Sequence, residues 1–229
     1  MKGSSRIGTV SGIGIFVHWT FWLMLAALFG YYMYLGATVG AALMGILLVL
    51  AVFGCVVLHE LGHSFAARRY GIPTLDITMY PIGGIARLQR IPREPKQELV
   101  IALAGPAVNL AIAAVLAVLG GVGQGADSLA TVLAGDGGLV EMLMYVNLVL
   151  VGFNMLPAFP MDGGRVFRAL LATRTDYRRA THIASFVGIL MAIGMVVYGI
   201  ATFNLALPFV AVFVVFAGRQ EVAHVMETT

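Results

Sequence analysis

The sequence predicts an α-helical polytopic membrane protein with about six transmembrane helices and short membrane-associated β-strands on the cytoplasmic side. Three observations lead there. The 229 residues are 60% hydrophobic and only 11% charged, where soluble domains carry roughly 25% charged residues. The stretches Ile7–Leu58 and Ala180–Gly218 contain no Asp, Glu, Lys or Arg. The 14 Lys and Arg all fall on one face of a six-span arrangement whose N-terminus is cytoplasmic.

Taken in order, Lys2 and Arg6 precede a segment, Gly8–Val17, that reads as extended because Gly8, Gly12 and Gly14 oppose a helix. The first apolar segment, Trp19–Ala37, is long, aromatic-rich and without a small-residue cleavage site, so it reads as a retained span and not a signal peptide. The second, Ala41–Leu58, runs into a polar motif. The connection from Arg68 to Glu98 is too short for an independent module. Within it, the β-branched run from Ile72 to Tyr80, the Pro81-Ile82-Gly83-Gly84 break and the segment from Ile85 to Arg90 predict a β-hairpin.

The third span is Leu99–Gly120, followed by an outside loop, Gly121–Leu139, that carries Asp127 and Asp136 but no basic residue. The fourth, Met142–Met161, is interrupted by Pro157 and Pro160. Ile183–Ala201 and the shorter Phe203–Gly218, with Pro208 near its start, complete the set. The net charge of +3 therefore reflects topology, with Arg68, Arg69, Arg87, Arg90, Arg93, Lys96, Arg165, Arg168, Arg174, Arg178, Arg179 and Arg219 all inside, and no nucleic-acid partner is expected. One cysteine, Cys55, excludes an internal disulfide. The 28 glycines permit close helix packing and carry no functional implication.

The chemistry begins at His59-Glu60-Leu61-Gly62-His63, where the second apolar run ends. On a helix the two histidines stand at i and i+4, one turn apart on one face, and can hold a single metal ion. Glu60 is placed to take a proton from the attacking water. An ionisable residue at membrane depth is costly and by default marks a functional site. The pattern implies zinc-dependent peptide hydrolysis within or at the edge of a bilayer, with one zinc ion per chain.

Such a zinc needs a third protein ligand. Asp162 stands out, preceded by helix-breaking Pro157 and Pro160 and followed by Gly163 and Gly164, which allow a tight turn; an N-cap for the helix Arg165–Leu171 is the alternative. Glu98, Asp76 and Asp176 read as solvated charges. Asn154, polar within an apolar span, suits either contact with substrate and a developing oxyanion or interhelical hydrogen bonding. Asn109, after Gly105-Pro106, reads first as helix packing, as does Cys55. His18 reads as interfacial, and His182 and His224 have no motif around them.

His59-Glu-Leu-Gly-His63, Pro81-Ile-Gly-Gly84, Gly105-Pro-x-x-Asn109 and Asn154 through Pro160-Met-Asp162-Gly together resemble the site-2 protease family of intramembrane metalloproteases, over nearly the whole chain. The resemblance is to its prokaryotic six-span group, whose members carry cystathionine-β-synthase domains after the membrane part. It implies that His59, His63 and Asp162 ligate zinc, that Glu60 is the general base and that Asn154 handles substrate. It also implies that strands around Pro81, Ile82, Gly83 and Gly84 receive an unwound substrate as an added strand. Two features depart from the pattern: Phe159-Pro160-Met161 stands where Asn-Pro is usual, and no regulatory domain follows the sixth span in these residues.

The expectation is thus a single transmembrane metalloprotease domain over residues 1–229, with a catalytic core at 41–170. It would sit multi-pass in a cell membrane with both termini and the site opening on the cytoplasmic side, and would cleave a single-span membrane protein. A zinc transporter or metal-sensing membrane protein without peptidase activity is the alternative, using the same histidines and Asp162 as a transit site.

Overall fold

The computed structural model of the chain describes residues 3–90, 92–120 and 138–227. In chain order its elements are β1 (Ser4–Val10), β2 (Ile13–His18), α1 (Trp19–Tyr34), α2 (Val39–Arg69), β3 (Thr74–Tyr80), β4 (Gly83–Leu88), α3 (Pro95–Gly120), α4 (Leu139–Asn154), α5 (Asp162–Ala172), α6 (Tyr177–Ala201) and α7 (Ala206–Glu227). Helices α2, α3, α6 and α7 are long and apolar enough to cross a membrane, so the chain is a multi-pass membrane protein. The first and fourth expected segments form 16-residue helices, α1 and α4. Helix α4 stops at Asn154, short of the expected Met161, and an irregular segment containing Pro157 and the cis Phe159–Pro160 bond leads into α5. The loop with Asp127 and Asp136 lies outside the described residues.

The described residues form two compact units, one from Met1–Ile91 and Ala107–Leu150, the other from Pro92–Pro106 and Val151–Thr229. The first holds a four-stranded sheet in the order β1-β2-β3-β4. Its outer pairs are antiparallel hairpins. In the first, Ser11 and Gly12 both take positive φ, 49° and 89°, as a two-residue hairpin loop demands. The central pair, β2 with β3, is parallel, which requires the long crossover that α1 and α2 provide.

Strand β2 alternates, burying Ile13, Ile15 and Val17, whereas the interior of β3 buries four successive residues, Asp76 to Met79. Ile13, Val17, Ile77 and Met79 close on Phe21 and Leu25 of α1 and on Leu61 of α2, so the sheet is packed against the helix that carries the histidines. His18 caps α1 by accepting the Thr20 N–H, and Thr38 caps α2 by accepting the Ala41 N–H at 3.2 Å. Asp76 is buried and ion-paired with Arg87, its register partner on β4, which corrects its reading as a solvated charge.

In the second unit α6 and α7 pack closely around Ala192, Ala211 and Val214, with Ala158 and Met161 of the irregular segment in the same core. Asp176 is exposed, as expected, and caps α6 by accepting the Arg179 N–H at 2.9 Å. Glu98 is not solvated: it lies buried against Arg168 of α5, with Arg168 Nε and Nη2 at 2.9 and 2.5 Å from one carboxylate oxygen. Burial pushes the Arg168 guanidinium down, but Glu98, Tyr177 and Glu221 outweigh it and hold the group above its ordinary value. Removing one member of such a buried pair costs about 3–5 kcal/mol, because the other charge is left uncompensated.

Candidate active site

Helix α2 runs unbroken from Val39 to Arg69, so His59 and His63 take the one-turn spacing that their sequence positions imply. Both are buried. Their Nε2 atoms lie 3.0 Å apart, with the rings nearly perpendicular at 83° and their centroids separated by 4.7 Å. Two imidazole nitrogens that close and aimed together fit one divalent ion, since ligand nitrogens lie about 2.0–2.1 Å from zinc. Among the described residues, the pair therefore passes the geometric requirement for a shared metal.

Glu60 is half-buried beside His59. A Cβ added to Gly84 of β4 would stand 2.9 Å from Glu60 Cγ, 3.2 Å from Val56 Cγ1 and 3.3 Å from Met79 Sδ. Only a glycine lets the strand approach the motif this closely. Of the four residues Pro81, Ile82, Gly83 and Gly84, it is Gly84 that the fold brings against the carboxylate. Pro81 and Ile82 form the hairpin turn, with Ile82 exposed, and Gly83 takes φ 135° with open space around it. Among the described residues, strand β4 lies at the sheet edge and pairs with β3 alone.

Asp162 belongs to the second unit, buried at 7% exposure, as the first residue of α5. The cap position falls on Met161, whose side chain makes no cap hydrogen bond, so Asp162 is not the N-cap that the alternative reading required. The two glycines behind it are obligatory. A Cβ on Gly163 would overlap the Met155 and Leu156 carbonyl oxygens, and one on Gly164 would lie 2.7 Å from the Ala158 carbonyl carbon. The backbone of α5 thus sits directly on the segment that leads into it. Asn154, the last residue of α4, is half-buried in the same unit.

Two features were not anticipated. Asn147 of α4 is fully buried and donates to Cys55 Sγ at 3.4 Å and to the Leu143 carbonyl at 2.8 Å, tying α4 to the histidine helix. An asparagine inside an apolar run was the available signal. Cys55 accepts that bond, in keeping with its expected packing role. The Arg168 cluster had no local signal, because Glu98 lies 70 residues away from Arg168.

Fold and motif together define a multi-pass membrane protein with a buried histidine pair whose ring nitrogens are close enough to share one metal ion. Comparison with known proteins sharpens that class. The model of peptidase family M50 matches residues 47–136 and 126–197. The chain is similar to zinc metalloprotease MJ0392 of Methanocaldococcus jannaschii, 38% identical over 96% of this chain and 61% of that protein. It is similar to Rip3 of Mycobacterium tuberculosis, 32% identical over 96% of this chain and 59% of the relative. Among solved structures, the site-2 protease from Methanocaldococcus jannaschii superposes with a TM-score of 0.68 at 37% identity, over 96% of this chain and 95% of that one. The chain belongs to peptidase family M50, the site-2 protease family expected from its motifs. It spans about three-fifths of the length of these two curated relatives.

Proposed function

We propose that this protein is an intramembrane zinc endopeptidase of the His-Glu-x-x-His type, cleaving within or near the transmembrane segment of a single-span membrane protein in regulated intramembrane proteolysis. The observation that carries the reading is the buried imidazole pair of α2, with Nε2 atoms 3.0 Å apart, Glu60 in the same turn and the edge strand against Glu60 at Gly84. Membership of a peptidase family supports it, as does the naming of the relative MJ0392 as a zinc metalloprotease.

His59, His63 and Asp162 would hold one zinc ion, two nitrogens and a carboxylate being a common catalytic donor set. Zinc, when bound, supplies Lewis acidity toward the scissile carbonyl and brings the deprotonation of water near neutral pH. Glu60 takes the proton of the attacking water onto a carboxylate oxygen and passes it to the leaving amide nitrogen. Asn154 offers an amide N–H to the substrate backbone or the oxyanion. The open edge of β4 beyond Pro81–Gly84 receives the substrate as an added strand. Unwinding of the substrate is what the chemistry requires, because a peptide carbonyl inside a helix is already hydrogen-bonded and shielded from attack, and an added strand is one way to hold the unwound chain.

The arrangement in the bilayer is one domain of six spans in a cell membrane, with termini and site opening cytoplasmic, supported by the one-sided distribution of Lys and Arg. The deciding experiment measures zinc per chain and cleavage of a single-span reporter in detergent, for wild type and Glu60→Gln. One zinc in both with cleavage by wild type alone is expected. Zinc transport into vesicles by both forms, without cleavage by either, would replace the protease with a transporter.

A further inference from the structure

Arg168 takes no part in the hydrolysis described above, yet it is fully buried on the helix that begins at Asp162. Its Nε and Nη2 bind Glu98 Oε1 at 2.9 and 2.5 Å, and its Nη1 binds Glu221 Oε1 at 2.5 Å. The same guanidinium stacks over the rings of Phe159, at 4.8 Å, and Tyr177, at 4.9 Å. One planar group therefore joins the start of α3, the end of α7, the start of α6 and the segment leading into Asp162.

Apolar packing holds that segment at Ala158 and Met161, but its backbone is weakly tied. Between α4 and α5 its backbone bonds are short-range turns: Ala158 N to Leu156 O at 2.7 Å, Met161 N to Ala158 O at 3.0 Å and Gly164 N to Met161 O at 3.1 Å. No strand or helix ladder fixes its direction. Joining helices alone does not call for a buried charge, since apolar side chains of similar volume do so as well or better. A guanidinium adds a fixed plane with donors in set directions, which an aliphatic chain or a lysine does not provide.

We propose that Arg168 is a positioning residue for Asp162: by clamping Phe159 against Glu98, Glu221 and Tyr177, it holds the entry to α5 so that the Asp162 carboxylate is presented in one orientation. The proposal rests on Asp162 being a metal ligand. Arg168 touches neither substrate nor metal in this scheme, and its effect is read in metal affinity.

The test is competition of zinc against a chelator, on the full chain in detergent, together with the thermal midpoint of the metal-free protein. Arg168→Lys keeps the charge but loses the fork and the stacking, and should weaken zinc about 10–100-fold, as loss of a residue supporting a ligand does. Glu221→Gln, which leaves the Glu98 pair and both ring stacks, should weaken it less and carries the test if the lysine variant does not fold. Ile72→Ala, a fully buried change in the first unit and away from the segment entering α5, should lower the midpoint while leaving zinc affinity as in wild type. Asp162→Asn separates the two layers of the claim. Wild-type affinity in Arg168→Lys and Glu221→Gln beside a weakened Asp162→Asn would overturn the positioning role and leave the ligand standing. Wild-type affinity in Asp162→Asn would remove the ligand, and the positioning role with it. Equal weakening by Ile72→Ala at an equal loss of midpoint would reduce Arg168 to a structural staple.

Discussion

The two stretches that carry the proposed zinc ligands are built on opposite principles. His59 and His63 stand in the interior of a 31-residue helix, and the helix alone sets their spacing. Asp162 stands at the start of an 11-residue helix, after a segment with no regular structure, backed by glycines with no room for a side chain and by a buried charge cluster. The first arrangement tolerates local change because its geometry is repeated in every turn. The second depends on many separate contacts at once.

Substitutions can break or sharpen that contrast. The largest effect is expected for Glu60→Gln, on the helix side but chemical in nature: reporter cleavage should fall about 10²–10⁴-fold, the usual contribution of a general base, with zinc content unchanged. Retained cleavage would show that the base lies elsewhere.

Next comes one substitution made in both regions. Gly163→Ala forces a methyl group into the Met155 and Leu156 carbonyls and should destabilise by more than about 3 kcal/mol, with loss of bound zinc. Gly54→Ala, on α2 where nothing lies within 4 Å, should be neutral or stabilising by about 0.5–1 kcal/mol with full zinc. Thermal midpoints and zinc stoichiometry of the two variants read the difference directly, and similar midpoints would dissolve the contrast.

A smaller effect is expected for Gly84→Ala. Its methyl group would crowd Glu60 Cγ, so kcat should drop while KM and zinc content stay near wild type. A rise in KM alone would instead make Gly84 a substrate contact. The least is expected of Asn147→Leu. It removes a bond to Cys55 but also a buried carbonyl oxygen that has no partner among the described residues, so stability should change by no more than about 1 kcal/mol and zinc binding not at all.

The same contrast decides what could be read from the chain beforehand. The His59–His63 spacing, the hairpin around Pro81–Gly84 and the extended start near Gly8–Val17 follow from local periodicity and turn chemistry, and all reappear in the fold. The sequence alone reads Glu98 and Asp76 as solvated charges, because their arginines arrive only through tertiary structure, Glu98's from a distant helix and Asp76's from the facing strand. Composition stays apolar past Asn154 and extends the fourth segment to Met161, whereas the helix ends at Asn154, ahead of the two prolines that mark the break.

The unbroken course of α2 has a consequence for depth along its own axis, because the histidines and the helix end at Arg69 belong to one continuous rod. Counted back from that end at Arg69, at ~1.5 Å per residue, His63 lies about 9 Å and His59 about 15 Å along the helix. In the proposed reaction each bond hydrolysed consumes a water molecule, which must reach the histidines two to three turns in from the end of an apolar helix. Hydration of that short passage would then be as much a reactant supply line as the delivery of the peptide, and turnover in that scheme would depend on both.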